Sequence, residues 1–519
     1  MRFPRNQMGI AESTVVYPFK NGTGPDVKQT MNASILKRAP SVLAMLLGAT
    51  LSLSSSSLAN TSDLPDIGTT AGGTLTIDQE RNYGDAYMRI LRASQPVIND
   101  PVLAEYISSL GYRLVANAED VKTPFEFFLI RDRNINAFAF FGGHVAIHTG
   151  LFLHANSEGE LASVVSHEIA HVTQRHLARR MEDQARKNPV TLAALAGSIL
   201  LAIAAPEAGI AALTATQAGA MQSAINYTRS NEKEADRVGM NTLIKAGYDP
   251  HAMPSFFGRL ADQYRYASKP PPMLLTHPLP EDRITDSRAR ADAYPINPPA
   301  PSIEFHMAKA RVVARYVGIS SDGAMDWLER KEKSASKAIK PTYEYGKALV
   351  YLDTKQLDKA EELLLSLQER FPHSNFVLDA LSDLNIEKKT PEKAEALLEE
   401  ALKTKPRNPV LQINLANVMI EAGKNEQAIR MLQRYTHDNP NDTNGWHLLS
   451  KAHANLSDPA NELAARGELY ALNANWNRAI QSFTQAAQLS ELGSLQQARF
   501  DARIDQLLQQ RDQFMALQN

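Results

Sequence analysis

Residues 167–171 read His-Glu-Ile-Ala-His, a spacing that suits chemistry on a metal ion. Histidines four positions apart lie on one face of a helix, about one turn apart, so both imidazoles can bind the same tetrahedral Zn²⁺. Glu168 lies beside His167 and His171, placed to take a proton from the attacking water and pass it to the leaving amine. The alternative is an amphipathic helix with two surface histidines, and a third ligand decides between the two interpretations.

A third histidine on the same helix is one source of that ligand. The metzincin form of the motif would place glycine at 174 and histidine at 177, where this chain has Gln174 and Leu177. His176 is displaced by more than a quarter turn from the face of the two motif histidines. We therefore exclude this ligand set.

A second helix is the other source. Residues 231–236 read Asn-Glu-Lys-Glu-Ala-Asp and open a stretch with helical spacing of apolar residues. Glu232 and Asp236 share one face, so Glu232 can bind zinc while Asp236 hydrogen-bonds the outer nitrogen of a ligand histidine, and Glu234 points elsewhere. Alone, such a pair is usually a solvated face, but behind a His-Glu-x-x-His helix the metal site becomes the favoured interpretation.

These side chains need elements to position them. The motif helix is predicted to begin after Ser157, because Glu160 three residues later completes a capping box. Apolar residues at helical spacing predict helix over 80–118, and strands are predicted at 125–131 and 143–148.

Four motifs occur in order along the chain: the segment 136–145, His-Glu-x-x-His at 167–171, Arg-x-x-Glu-x-x-x-Asp at 229–236, and the segment from Thr276-His277-Pro278 to Arg283. Together they resemble peptidase family M48 over about residues 80–290. The resemblance implies an α+β, gluzincin-like metallopeptidase domain with one Zn²⁺ per chain. Many members of that family are integral to membranes, but this chain lacks their clear spans.

The apolar segment 136–147 has two interpretations, which stay open. It could be an edge strand that pairs with the backbone of an extended substrate, or an ordinary hairpin of the core. In the first case Asn136, Ala137, Gly142 and Gly143 would bind substrate, and Arg283 is assigned with them.

His277 lies in a Pro-rich loop, where a lone histidine is usually idle. It could hydrogen-bond the tetrahedral oxyanion, or swing onto zinc as a fourth ligand that blocks water. Given the resemblance, we assign it to the catalytic group with Glu168 and Asp236, with Arg283 as its companion.

The C-terminal part repeats. Pro372, Pro406 and Pro440 are 34 residues apart, as are Ala360, Ala394 and Ala428, which predicts tetratricopeptide helix pairs. We expect about four repeats with helical caps, the last at about 494–517, and a concave surface for extended peptides or a partner's helix. A structural spacer is the alternative.

The expected fold is therefore mainly α, with the gluzincin-like domain followed by an α-helical tetratricopeptide solenoid. The predicted segments are a mis-called N-terminal extension (1–30), a signal peptide cleaved after Ala59 (31–59), a leader (60–79), the peptidase domain (80–293), a Pro-rich linker (294–304) and the repeat domain (305–519). The Ala-rich stretch 190–205 is short and followed by Pro206, so a buried helical hairpin is favoured over a membrane span.

Composition limits the partners. A net charge of -2 gives no overall attraction to nucleic acid or to an anionic membrane, and the lack of cysteine excludes thiolate ligands and cysteine nucleophiles. No nucleic acid and no stable membrane span are expected.

By resemblance to periplasmic members of family M48 with this domain order, the substrates would be misfolded or stalled outer-membrane proteins. The partners would be the barrel-assembly and lipopolysaccharide-transport machinery, docked by the repeats. One hypothesis is a working periplasmic zinc endopeptidase. The other is a chaperone-like assembly scaffold whose zinc site is mostly capped and rarely catalytic.

Overall fold

The computed structural model describes residues 75–187, 218–265, 272–296 and 300–516. The predicted signal peptide and the predicted hairpin at 190–205 lie outside these residues. No helix within the described ranges is both long and apolar enough to cross a membrane.

The first part of the fold has nine α-helices and a small sheet among the described residues. The helices are α1 (Ile77–Ser94), α2 (Pro101–Val115), α3 (Thr149–His154), α4 (Glu158–Thr173), α5 (His176–Lys187), α6 (Ala218–Lys245), α7 (Ala252–Tyr264), α8 (Pro272–Thr276) and α9 (Glu281–Ala291).

The sheet has three described strands, β1 (Glu126–Ile130), β2 (Ala137–Phe140) and β3 (His144–His148), in the order β1-β3-β2. β3 is central, parallel to β1 and antiparallel to β2. The two predicted strands are confirmed. The segment between them supplies a third strand, so β2 and β3 form a hairpin with β2 at the edge of the described sheet.

Two glycines make the turn of this hairpin. Gly142 has φ 76° and Gly143 has φ 79°, a conformation that side chains with a Cβ rarely adopt. A Cβ on Gly143 would also lie 1.9 Å from the carbonyl oxygen of Pro124. Glycine is therefore needed here for the backbone itself.

Helix α4 begins where the sequence predicts, with a modified cap. Ser157 is the N-cap, and its hydroxyl accepts a hydrogen bond from the Glu160 backbone at 3.3 Å. The Glu160 carboxylate accepts from the Asn156 backbone at 2.6 Å, one residue before the position that a capping box requires. The cap still satisfies the first free N–H groups of the helix.

The C-terminal part is helical throughout the described residues. Its helices are α10 (Ile303–Arg311), continued by a π-helix (Val312–Tyr316), then α11 (Ser321–Ser334), α12 (Lys340–Asp353), α13 (Leu357–Arg370), α14 (Asn375–Glu387), α15 (Pro391–Thr404), α16 (Pro409–Glu421), α17 (Asn425–Asp438), α18 (Thr443–Asn455), α19 (Pro459–Leu472), α20 (Trp476–Leu489) and α21 (Leu495–Ala516).

The repeat prediction is confirmed by these helix pairs. Ala360, Ala394 and Ala428 are completely buried in the second helices of successive pairs, where a small side chain lets helices pack closely. The prolines of the same spacing lie in the turns between pairs. The last described helix, α21, packs against α20.

The two parts share one hydrophobic core. Val102 and Leu151 of the first part belong to the same buried cluster as Phe305 and Val410 of the second. The Pro-rich tract separates the regions along the chain but does not divide the core. A continuous core holds the repeats against the peptidase region.

Helices α1 and α2 contact the repeats directly. The Arg89 guanidinium donates to the carbonyl oxygen of Ala471 at 2.7 Å and lies over the Trp476 ring. The Glu105 carboxylate accepts from the side-chain amides of Asn375 at 2.6 Å and of Asn408. Part of the repeat surface is therefore already occupied within the chain.

Candidate active site

The site lies where α4 crosses α6. A Cβ on Gly239 of α6 would be 3.0 Å from the Cα and nitrogen of His167, so the helices approach as closely as backbone allows. This proximity brings Glu232, about two turns before Gly239, to the two motif histidines on α4.

Four side chains converge at this crossing. His167, His171, Glu232 and His277 each offer one ligand atom, and these atoms all lie within 4.8 Å of one another. Nε2 of His167 is 3.0 Å from Nε2 of His171, and both are 3.3 Å from Glu232 oxygens. Three histidine nitrogens and one carboxylate oxygen form a donor set that suits a tetrahedral divalent ion.

A second layer of charges supports His167. Its Nδ1 lies 3.0 Å from Asp236, the residue predicted for the outer nitrogen of a ligand histidine. Arg283 holds Asp236 through two hydrogen bonds of 2.7 Å and lies 2.8 Å from Glu232. Because these groups are almost fully buried, they fix the ring orientation of His167 and the Glu232 carboxylate.

The outer nitrogen of His171 has a different partner. Its Nδ1 is 2.9 Å from Nδ1 of His176, whose Nε2 is 3.2 Å from Glu234. The sequence interpretation sets both His176 and Glu234 aside. The structure keeps His176 out of the ligand group but places it against His171, because the chain leaves the helical path at Arg175, which has φ 51°. The helical-face argument fails beyond that residue.

Glu168 and His277 face each other across the site. Glu168 is 1% exposed, and one of its oxygens has no hydrogen-bond partner among the described residues. Nε2 of His277 is 3.5 Å from that oxygen, while Nδ1 is 3.1 Å from Glu232 and 3.4 Å from His167. His277 therefore lies among the ligand atoms and over Glu168 at once.

Burial and the neighbouring charges shift the pKa values of the groups in this cluster. Burial alone would lower the pKa of His167, but its contacts with Asp236 and Glu232 raise that pKa to about 10. Burial opposes ionisation of Glu232, yet His277, His171 and Arg283 hold the pKa of its carboxyl well below the usual range. Burial keeps the pKa of His171 well below its ordinary value. Glu232 is therefore anionic in this cluster, and His167 must release its proton before its Nε2 can bind a metal.

A cleft opens beside the cluster. Its lining includes Glu168, His171 and His277 together with 138–142 of the hairpin. Of the residues predicted to bind substrate, Gly142 lines this cleft. Ala137 is buried in β2 and Asn136 just before it, Gly143 packs on Pro124, and Arg283 is buried behind the ligands. The position of Arg283 suits support of Glu232 and Asp236 rather than contact with substrate.

The sequence interpretation does not consider Gly239, and it sets aside His176 and Glu234. Gly239 is a helix-interior glycine, a local signal that packing needs close approach. No comparable local signal marks His176 and Glu234, because their meeting depends on the break at Arg175 and on the tertiary arrangement of α5 against α6.

Comparison with known proteins agrees with this geometry. The model of peptidase family M48 matches residues 101–291, and a tetratricopeptide-repeat model matches residues 385–452. A Vibrio cholerae protein provisionally named a beta-barrel assembly-enhancing protease is 68% identical over 88% of this chain and 94% of its own length. The beta-barrel assembly-enhancing protease of Escherichia coli K12 is 48% identical over 87% of this chain and 92% of its own, and that of Yersinia pestis is 47% identical over 88% and 93%. The chain is a metallopeptidase and belongs, with these beta-barrel assembly-enhancing proteases, to family M48.

Proposed function

We propose that this chain is a periplasmic zinc endopeptidase that removes misfolded or stalled outer-membrane β-barrel proteins and supports their assembly. The observation that carries the proposal is the convergence of His167, His171 and Glu232 beside the buried Glu168. The names of the full-length relatives support the client class.

The protein residues divide the work as follows. His167, His171 and Glu232 would hold one Zn²⁺, which when bound lowers the pKa of water and polarises the peptide carbonyl. Glu168 takes the proton of the attacking water and delivers it to the leaving nitrogen. Asp236 and Arg283 keep His167 and Glu232 in place, so the ligands need not reorganise during the reaction.

Substrate recognition is assigned to the edge of the sheet. β2 pairs with β3 on one side, and 138–142 line the cleft next to Glu168. An extended client segment that adds to β2 would be held by main-chain hydrogen bonds, which recognise an unfolded strand rather than one sequence. Unpaired strands of an incompletely folded barrel suit that mode.

A second function, a chaperone-like scaffold with a capped site, is favoured by one observation. His277 belongs to the ligand group, with Nδ1 3.1 Å from Glu232 and Nε2 3.5 Å from Glu168. In that state His277 would be a fourth ligand that keeps water out, and the repeats would dock the barrel-assembly and lipopolysaccharide-transport machinery.

Glu168→Gln separates the two functions. Zinc content by mass spectrometry should stay at one per chain, because Glu168 is not a ligand, while cleavage of an unfolded barrel protein should fall by at least about 100-fold. Outer-membrane assembly in cells should then fail if proteolysis is the main task. Full assembly with the Glu168→Gln chain would favour the scaffold, and wild-type protein without zinc would remove the peptidase proposal.

A further inference from the structure

We propose that His176 is a positioning residue for His171 and that it acts through Glu234. The proposal rests on the proposed metal site and adds the outer support of its second histidine. His176 is buried, touches Nδ1 of His171 at 2.9 Å and touches Glu234 at 3.2 Å.

Proton positions follow from the geometry. Nε2 of His171 belongs to the ligand atoms, so a bound metal leaves the ring proton on Nδ1. Among the described residues its hydrogen-bond partner is Nδ1 of His176, at 2.9 Å, and donation to that atom places the proton of His176 on Nε2. From Nε2 this proton is donated to the Glu234 carboxylate, so each of the two hydrogen bonds has one donor and one acceptor.

Glu234 is itself fixed. The Arg179 guanidinium donates to the same Glu234 oxygen at 2.9 Å. With Nε2 of His176 at 3.2 Å and Arg179 at 2.9 Å on that one oxygen, the carboxylate is held as an acceptor facing His176. Arg179 therefore supports Glu234, Glu234 supports His176, and His176 supports His171.

The two ligand histidines are supported unequally without His176. His167 is 3% exposed and backed directly by Asp236, whereas His171 is 16% exposed and borders the cleft. Loss of the acceptor at His176 would leave the ring of His171 free to turn toward the cleft. Loss of such an outer partner typically weakens metal binding by about 10- to 100-fold.

Local backbone geometry places His176 for this contact. Arg175 has φ 51°, which ends the path of α4 and starts α5 in a new direction. Its guanidinium donates to the Glu80 carboxylate at 2.8 Å and to the carbonyl oxygen of Leu75 at 2.6 Å. These contacts with α1 and the residues just before it hold the turn that carries His176.

The test measures the rate at which the zinc-loaded full chain releases zinc to a chromogenic chelator. His176→Phe keeps a flat ring but removes the acceptor, and release should be about 10- to 100-fold faster. His176→Asn places an acceptor oxygen near the position of Nδ1, so release should return to within about fivefold of wild type. His453→Phe is the matched control, because His453 is a comparably buried histidine paired with Asp458 in the repeats, and its release rate should equal wild type.

Glu234→Leu keeps the His176 ring and removes only its acceptor, so it tests the same series of hydrogen bonds if His176→Phe does not fold. Release about three- to tenfold faster supports the proposal. Wild-type release rates for both His176→Phe and Glu234→Leu would overturn it while leaving the proposed function intact. Equally fast release from His176→Phe and His176→Asn would also overturn it, since the hydrogen bond would then not matter. Wild-type protein that binds no zinc would instead refute the proposed function.

Discussion

A Cβ on Gly239 would stand 3.0 Å from the Cα of His167, so the two site helices meet backbone to backbone at this pair. Backbone atoms cannot yield as a flexible side chain can, so a larger residue must move α6 away from α4. The position of the Glu232 carboxylate therefore depends on a residue that binds nothing.

Gly239→Val should keep the fold but displace Glu232 from the imidazole pair. A displacement of about 1 Å is enough to lower activity on the order of 100-fold, and zinc affinity should fall with it. Isothermal titration with zinc and a peptide-cleavage assay measure the two effects. Gly258→Ala on α7 is the matched control, since the nearest atom to its new Cβ is 4.0 Å away. Unchanged zinc affinity in Gly239→Val would contradict the close-packing argument.

His277→Ala distinguishes a cap from a catalytic group. If the ring blocks the fourth ligand position, its removal should leave one zinc per chain and raise cleavage of casein about threefold or more, the gain reflecting the fraction of chains previously closed. Metal analysis and casein hydrolysis are the measurements, with His251→Ala, paired to Asp249 outside the ligand group, as control. Reduced cleavage with full zinc would instead support the oxyanion role.

The sequence predicts the metal ligands of this site better than it predicts the residues that support those ligands. The spacing of His167 and His171, and of Glu232 and Asp236, follows from helix periodicity, and the structure places all four at the crossing of α4 and α6. Periodicity fails for His176, because a single left-handed residue at 175 changes the direction of the chain.

The contacts between the peptidase region and the repeats could not be predicted from the sequence either. The repeat spacing predicts the helix pairs, because each pair buries the same small alanine against its neighbours. The contacts of Glu105 with Asn375 and Asn408 join residues 270 and 303 positions apart, and polar residues on separate amphipathic helices give no sign of such a match. One core across both regions could not be inferred from either pattern alone.

Lys309 should give the stability of the fold a pH dependence. Its ammonium is buried and donates to the carbonyl oxygens of Leu153 and Ala155, at 3.2 and 2.7 Å. Burial, with some help from Lys331, lowers the pKa of Lys309 to about 8. Between this value and about 10.4 in the unfolded chain, the unfolded state binds more protons, so the free energy of unfolding rises with pH in that window.

Lys309→Met removes this titration. Between pH 7 and pH 10, the free energy of unfolding of wild type should rise by up to about 3 kcal/mol relative to that of the variant. Denaturant unfolding of both proteins at each pH measures this difference. Lys337→Met, at an exposed lysine, should follow the wild-type curve. Parallel curves for wild type and Lys309→Met would contradict a lowered pKa.

Arg311 of α10 links α2 of the peptidase region to α14 of the repeats by two buried ion pairs. Its guanidinium lies 2.7 Å from Asp100, the N-cap of α2, and 2.7 Å from Asp379 on α14. It also donates to the Tyr345 hydroxyl at 2.9 Å. Arg311→Met would leave two buried carboxylates without a counter-charge, and removing one partner of a buried pair typically costs about 3–5 kcal/mol.

We expect Arg311→Met to lower the unfolding midpoint and to increase the rate of limited proteolysis, because local opening between α2 and α14 becomes less costly. Arg290→Met, which breaks an exposed pair with Asp286, should change the free energy of unfolding by less than about 1 kcal/mol. A triple variant that combines Arg311→Met with Asp100→Asn and Asp379→Asn should recover much of the loss, since the uncompensated charges are gone. If the triple variant is no more stable than Arg311→Met, the penalty comes from lost packing of the arginine stem, and the ion pairs do not hold the two regions together.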